Sequence, residues 1–587
     1  MVKKTIKFKL NDKEIVCDEG KTIFEAASEN GVEIPTLCEH PDFPHKANCR
    51  VCVVEVKGPS ASSGRSRLVP SCATTVVDGM EITSASDRVK KVRNINLEMI
   101  FAEHVEKCAT CVWRLNCKLL AYAERYKIPL NRFRDRKSGR ATYKFENAVE
   151  IDGTQCIDCR NCIDACSRLQ GIDYLELRGK GIDQEIVPTK RKGAQCILCG
   201  QCAVHCPVSS AQEQYHYADV EKLIKEGKKT IVVQFAPSIR VSIGEEFGLP
   251  YGAVVTGQIV EALRLLKFNY VFDVSFSADI TTIVEEEELL ERIKNKGVLP
   301  LFTSCCPAWV RYVEHYRPDL IPNITTSRSP QIHSGGLIKT YWAAQNKVNP
   351  KDIVVVSIMP CTAKKYEASR PELFINPGLS AKMGLKGMPP VDYVLTTREL
   401  AFMIKKNGID FANLKGAKAD EPLAEYTGAA VIYGGSGGVM ESALRSAQAE
   451  ICKTDKSTKG CGRTFESLDI RGLNGVKEAT VEFGKKKLKV AVVNGMKQAI
   501  EFLPRYKDFH YIEIMACPGG CIGGGGEPIP TTAAIRKLRM EALYKIDKGK
   551  KARVAGKNPA VVKALAWLKK QGKLEHQVLH TSYKKKR

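Results

Sequence analysis

Eight cysteines in two identical arrays constrain this chain more than anything else in it. Cys156, Cys159, Cys162 and Cys166 form the first; Cys196, Cys199, Cys202 and Cys206, followed by Pro207, form the second. Both read C-x2-C-x2-C-x3-C, an internal repeat of one cluster-binding unit. Three thiolates at this spacing wrap one corner of a cubane, while the fourth points away and closes its neighbour. Two [4Fe-4S] centres are therefore expected, one on Cys156, Cys159, Cys162 and Cys206, the other on Cys196, Cys199, Cys202 and Cys166. Ser167 stands where proline often follows. Structural zinc competes poorly, because it uses two C-x2-C pairs at longer separation.

The chain has 23 cysteines in 587 residues, most of them in tight clusters, which points to metal or redox chemistry. The opening MVKKTIKFKLNDKEIV shows no secretory signal, so a cytoplasmic, reducing setting is expected. Apolar runs such as IVVQFA are strand-length, and no membrane span is expected. The formal net charge of +24 would by itself suit nucleic acid, an anionic surface or an acidic protein partner.

Residues 5 to 16 alternate as a β-hairpin turning at Asn11-Asp12, and TIFEAASEN reads as a short helix. The stretch 85–127 reads as helical and 128–150 as a polar linker. Beyond about 217, buried-type strands (TIVVQFAP, YVFDVSF, DIVVVSIMP, AAVIYGG, KVAVVNG) alternate with helical stretches, which predicts α/β structure with largely parallel sheets. After 531 the chain reads as helical and Lys-rich.

Upstream, Cys38, Cys49, Cys52 and Cys72 resemble the ligands of a plant-type [2Fe-2S] ferredoxin domain, with KGPSASSGRSRL as a longer polar insertion than that family usually carries. Cys17, in the hairpin, reads as a small apolar core residue. His104, Cys108, Cys111 and Cys117 follow, with His104 one helical turn before Cys108. Taken alone, one histidine with three cysteines suits zinc about as readily as iron. The place of this set between the other cysteine modules resembles the electron-input region of iron-only hydrogenases, and equally the iron-sulfur subunit of respiratory complex I, where this motif holds a [4Fe-4S] cluster.

Three further segments separate those families. Thr303-Ser304-Cys305-Cys306-Pro307, Met359-Pro360-Cys361-Thr362-Ala363-Lys364 and Glu513-Ile514-Met515-Ala516-Cys517-Pro518-Gly519-Gly520-Cys521 occur in order. They resemble the three signature segments of [FeFe]-hydrogenases, and the resemblance covers nearly the whole chain. It implies a multidomain α+β and α/β protein. The implied parts are a β-grasp ferredoxin-like domain (1–82), a His/Cys-ligated [4Fe-4S] cluster domain (83–127), a bacterial 2[4Fe-4S] ferredoxin-like domain (140–216), a large α/β H-cluster domain (217–530) and a helical small-subunit-like segment (531–587).

By the same resemblance, Cys306, Cys361, Cys517 and Cys521 would hold the [4Fe-4S] part of the H-cluster. Cys521 would also bridge to its two-iron subsite, with CO, cyanide and azadithiolate ligands. Ala236, Pro237, Ser238, Gln331, Met359, Lys364 and Met515 would line the subsite, Lys364 and Ser238 as donors to cyanide. Glycines after Cys517 would let backbone approach the cluster. Cys305 would be a proton-exchanging thiol, followed outward by Glu285, Thr325, Glu288 and Arg292. Thr325 stands where a serine is common. Glu285, Glu288 and Arg292 fall on one helix face, whereas Glu286 and Glu287 read as an exposed acidic face.

The reading is thus an [FeFe]-hydrogenase catalysing reversible proton reduction, with four accessory clusters (one [2Fe-2S], three [4Fe-4S]). A ferredoxin or flavodoxin is the expected electron carrier, and maturation proteins are needed for the two-iron subsite; neither nucleic acid nor a membrane span is called for. Competing readings are a subunit of an NAD(H)/ferredoxin bifurcating complex, or a non-catalytic hydrogenase-like assembly or sensor protein. Cys452 and Cys461, in ICKTDKSTKGCGR, read as free thiols on an insertion.

Overall fold

A computed structural model describes residues 4–58, 66–109, 111–130, 132–376, 387–454, 470–473, 475–483 and 486–586. Most of the polar insertion before Cys72, and Cys461, lie outside these residues.

Strands β1 (Thr5–Leu10) and β2 (Lys13–Asp18) form the expected hairpin, with Asn11 and Asp12 both at positive φ in the two-residue turn. With β3 (Val53–Lys57), β4 (Arg67–Pro70) and β5 (Glu81–Thr83) they make one sheet in the order β2-β1-β5-β3-β4. Alternation along β1 sends Ile6, Phe8 and Leu10 into a core that also contains Cys17, 6% exposed. The helix Ile23–Glu29 packs there behind a capping box of Thr22 and Glu25.

The helix expected over 85–127 breaks. It runs from Asp87 to Ala102, and two 3-10 turns then carry His104 to Cys117 before a second helix, Lys118–Arg125. His104 and Cys108 therefore meet across a tight turn, and not along one α-helical face. The expected linker also carries structure. β6 (Thr142–Phe145) and β7 (Val149–Asp152) begin inside it, because Phe145, Ala148 and Val149 are buried against the cysteine loops. A small ladder of β8 (Leu175–Arg178) and β9 (Glu185–Pro188) follows, and β10 (Ala211–Glu213) returns to pair with β7.

The larger part is built on two more sheets. One is wholly parallel, in the order β12-β11-β14-β15, from β11 (Thr230–Phe235), β12 (Tyr270–Asp273), β14 (Ile353–Met359) and β15 (Tyr393–Thr396). The other, in the order β13-β18-β17-β16, joins β13 (Leu301–Phe302), β16 (Val476–Phe483), β17 (Lys486–Asn494) and β18 (Tyr511–Met515), with only β16 antiparallel. Near-continuous apolar runs such as IVVVSIM bury both faces, as parallel strands require. AAVIYGG, expected as a strand, is instead the short helix Gly428–Val431 and a 3-10 turn, Ile432–Gly434. A short run buried on every side carries no periodicity that tells helix from strand. No helix among the described residues is long and apolar enough to cross a membrane.

Candidate active site

In parallel sheets, ligands gather where the carboxyl ends of strands leave unpaired backbone and diverging loops. Here four such ends converge. β11 runs into Ala236-Pro237-Ser238, β13 into Ser304-Cys305-Cys306, β14 into Pro360-Cys361 and β18 into Ala516-Cys517. Their residues, with Gln331, Met359, Lys364, Met515 and Cys521, line one cavity. Every residue expected around the two-iron subsite is on that wall.

Cys306, Cys361, Cys517 and Cys521 face each other across it, each sulfur raising the pKa of another. Burial is the larger cause, pushing Cys361 up to about 12. Thiols so packed ionise only beside a compensating cation, which suits an iron cluster. Cys306 stands at the N-cap of the helix Pro307–Tyr316, where the free N–H groups of Ala308 and Trp309 favour a thiolate. Ser238 lines the cavity, and its Oγ is buried beside Glu527 with no hydrogen bond of good geometry. Lys364 Nζ donates to Glu367 Oε2 at 2.8 Å and to the Cys305 carbonyl at 3.0 Å. Those two bonds leave its third N–H available. The arrangement fits an anionic group held by four thiolates.

Glu367 escaped the sequence reading. It accepts from Lys364, from Gln331 Nε2 at 2.7 Å and from Ser329 Oγ at 2.9 Å, holding two wall residues with one carboxylate. The signal was present, an acid three residues after Lys364 on one helical turn. Tyr433, also on the wall, was missed because its segment was taken for a strand. Gly520 and Gly524, among the glycines after Cys517, line the cavity, and the run is also packed closely against other backbone. A Cβ on Gly525 would lie 2.4 Å from the Cys199 carbonyl oxygen, and one on Gly520 would lie 2.6 Å from Ser436 N. Those two glycines admit neighbouring backbone.

The other cysteines named above as cluster ligands fall into four further groups. Cys52 and Cys72 sulfurs lie 3.4 Å apart, and Cys49 N donates to Cys38 Sγ at 3.5 Å. Cys108, Cys111 and Cys117 share a small cavity with His104, whose Nε2 is buried and unpartnered. Cys159 neighbours Cys156 and Cys206, whereas Cys202 neighbours Cys196 and Cys166. The fourth sulfur of each array thus lies with the other array. Cys38 feels Cys159, Cys162 feels Cys202, and Cys517 Sγ lies 3.9 Å from the Cys199 carbonyl. The amino-terminal cysteines and the two arrays thus form a line from the amino-terminal sheet to the cavity, with the His104 group to one side of these contacts. Cys452 is disulfide-bonded, which corrects its reading as a free thiol. Spacing alone could not show a second sulfur within reach.

On the other side of Cys305 runs the helix Ser275–Lys294. Glu285 is 1% exposed, its Oε1 has no hydrogen-bond partner, and burial followed by Glu288 raises its pKa well above the carboxylate range. Burial also raises the Cys305 thiol, and Glu285 raises it further. Thr325 Oγ1 donates to Glu288 Oε2 at 2.6 Å, and Arg292 Nη2 to Glu288 Oε1 at 2.5 Å. Glu285 thus neighbours both Cys305 and Glu288, and Glu288 is hydrogen-bonded to Thr325 and Arg292, a file of groups leading away from the cavity. Glu287 is exposed, but Glu286 is not: it is 5% exposed, and burial pushes it up to about 8. The reason is the helix Gly438–Thr454, which packs along that face and brings Glu450 and Lys453 beside it.

Comparison with known proteins agrees with this geometry. Residues 229–525 match the family described as iron only hydrogenase large subunit, C-terminal domain, and 533–586 the iron hydrogenase small subunit. Residues 3–87 match a 2Fe-2S iron-sulfur cluster binding domain, and 93–132 the NADH-ubiquinone oxidoreductase-G iron-sulfur binding region. The chain is 37% identical to NADP-reducing hydrogenase subunit HndD of Solidesulfovibrio fructosivorans over 97% of each chain. It is likewise 37% identical to iron hydrogenase 1 of Clostridium pasteurianum, over 98% of this chain and 99% of that one. Among solved structures, an apo [FeFe]-hydrogenase variant from Chlamydomonas reinhardtii superposes with a TM-score of 0.54 at 33% identity, covering 63% of this chain and 99% of its own.

Proposed function

Since this chain belongs to the iron-only hydrogenase family, we propose that it interconverts protons, electrons and H2 at the cavity where the four strand ends meet. The observation that carries the reading is the juxtaposition of four cavity-lining thiols with a fifth, Cys305, backed by a buried acid. Cys306, Cys361, Cys517 and Cys521 would hold the H-cluster, with Ser238 and Lys364 turned to its cyanides and Met359 and Met515 as apolar wall. When bound, that group supplies the redox chemistry of proton reduction, and the accessory clusters supply the electrons. Their ligands would be Cys38, Cys49, Cys52 and Cys72 for one [2Fe-2S]. His104, Cys108, Cys111 and Cys117 would hold a [4Fe-4S], and the two interleaved arrays two more. The domain divisions 1–82, 83–127, 140–216, 217–530 and 531–587 follow these groups.

The chain's own residues handle the proton. Cys305 holds one at Sγ, on the cavity wall, because burial favours the neutral thiol. Glu285, kept neutral by burial, is a proton donor and acceptor behind it. Thr325 holds Glu288 in place through its hydroxyl, and Arg292 balances the charge of Glu288. The apolar wall excludes bulk water from the thiol.

For the electron carrier we propose an acidic ferredoxin or flavodoxin in the cytoplasm, drawn by the net charge. The likeness to an NADP-reducing hydrogenase subunit supports a second reading, a pyridine nucleotide-linked assembly with further subunits. Infrared spectra of the protein after maturation test the site: CO and cyanide stretching bands are expected, and their absence with full cysteine-bound iron would refute it.

A further inference from the structure

The carboxyl-terminal segment lies against the outer end of the file of acids, beside the exposed Thr326, and places a histidine there. Residues 579–581 are bound to residues 326–328 by backbone hydrogen bonds. Arg328 N donates to Leu579 O at 3.0 Å and Thr581 N to Thr326 O at 2.8 Å, with Ser327 and His580 in antiparallel bridge. Arg328 Nε donates to the His580 carbonyl at 2.8 Å. This fixes the His580 ring so that Nδ1 lies 3.0 Å from Thr326 Oγ1. The same Oγ1 lies 3.0 Å from Glu288 Oε2.

The direction of these bonds follows from chemistry. An ionised carboxylate only accepts, so Thr326 Oγ1 donates to Glu288, and its oxygen is left to accept from Nδ1–H of His580. The result is a directed chain, imidazole to hydroxyl to carboxylate. On the solvent side, the exposed His576 ring stands 5.2 Å from that of His580, one helical turn earlier. Thr325 and Arg292 also bond Glu288, but a guanidinium offers no acceptor and is a poor group to pass a proton on. An imidazole can pass one.

We propose that His580 is the group through which protons pass between solvent and Glu288, with His576 beside it at the surface. The inference rests on the reading of Glu288 as a proton relay. In the inward step, His580 takes a proton from water at Nε2 and gives up the one on Nδ1 to Thr326 Oγ1. The Thr326 hydroxyl proton moves to Glu288 Oε2, leaving a neutral imidazole and a carboxylic acid; the outward step is the reverse. Glu288 and Glu575 favour the imidazolium, while burial, His576 and Arg328 oppose it and set His580 below its ordinary pKa. Glu287, exposed on the same helix as Glu288, faces Glu575 and Lys569. The proton-entry residue would thus come from the part of the chain that matches the hydrogenase small subunit.

The test is H2 evolution by the matured full-length protein with reduced methyl viologen in weak buffer, from about pH 6 to about pH 9, alongside iron content and the infrared spectrum. His580→Gln keeps a hydrogen-bonding side chain but cannot titrate. We expect a rate on the order of tenfold lower, with the imidazole limb of the pH profile lost. Added imidazole should restore much of the rate in His580→Ala, with iron content and infrared bands unchanged. His580→Asn serves as the second variant should Gln fold poorly. A rate within about twofold of the parent at every pH would overturn the inference, as would a loss that neither changes the pH profile nor responds to imidazole. Glu288→Gln is measured in parallel. Full activity there overturns the relay and this inference together, whereas a loss there with an unaffected His580→Gln overturns the inference alone.

Discussion

At the scale of single residues, the account turns on groups kept neutral by burial. Burial raises the pKa of both Cys305 and Glu285, so each holds its proton more tightly than it would in water. Replacing Cys305 by Ala should abolish H2 turnover while leaving the iron content intact, as iron analysis beside a gas assay will show. Thr325→Ser should retain near-parental rates. Thr325→Val, which removes the hydroxyl on Glu288, should lower them roughly 10- to 100-fold, in line with the loss of a positioned proton-transfer partner. Glu286 gives a stability signature of its own. The unfolded chain releases its proton at about pH 4.3. The folded one releases it at about pH 8, so folding is progressively penalised as pH rises across that window. Glu286→Gln should unfold at a higher temperature than the parent at about pH 9 and show a shallower pH slope, whereas a parallel slope would contradict the assignment.

At the scale of elements, the site exists because four strands end at one place. The cysteine spacings made the grouping of the thiols legible in the sequence, since residues two or three apart are neighbours wherever the chain folds. Other features depended on packing that no local pattern records. Phe145 and Val149 looked like linker until the cysteine loops folded onto them, and Glu286 looked solvated until the helix Gly438–Thr454 covered it. AAVIYGG is buried on all sides, so hydrophobic period could not choose between helix and strand. His580 was invisible as a site residue because it reaches Thr326 across long sequence separation, whereas Tyr433 was hidden by a segment read as a strand and Glu367 sat in plain view one helical turn after Lys364.

The elements are also clamped together by buried charge. Arg398 pairs with Glu213 at 2.6 Å, and its guanidinium donates to the carbonyls of Glu527 and Gly525, tying the strand β10 to the loop after Cys521. Arg398→Met would strand a buried carboxylate, at a cost of about 3–5 kcal/mol, read by denaturant unfolding. Adding Glu213→Gln should recover part of that loss.

At the scale of the whole molecule, the formal net charge of +24 counts thiols as neutral. Bound clusters with thiolate ligands are anionic and would offset part of it, yet what remains suits an acidic electron carrier. Turnover with an acidic ferredoxin should therefore fall steeply with added salt, while turnover with a small viologen dye should not. Equal salt dependence for both would remove the steering argument. The central claim is that the cavity at the four strand ends makes and consumes H2. Hydrogen evolution from reduced methyl viologen by the fully matured chain tests it most directly. The account predicts sustained H2 production that Cys305→Ala abolishes; a matured protein with its full complement of iron that produces none would contradict it.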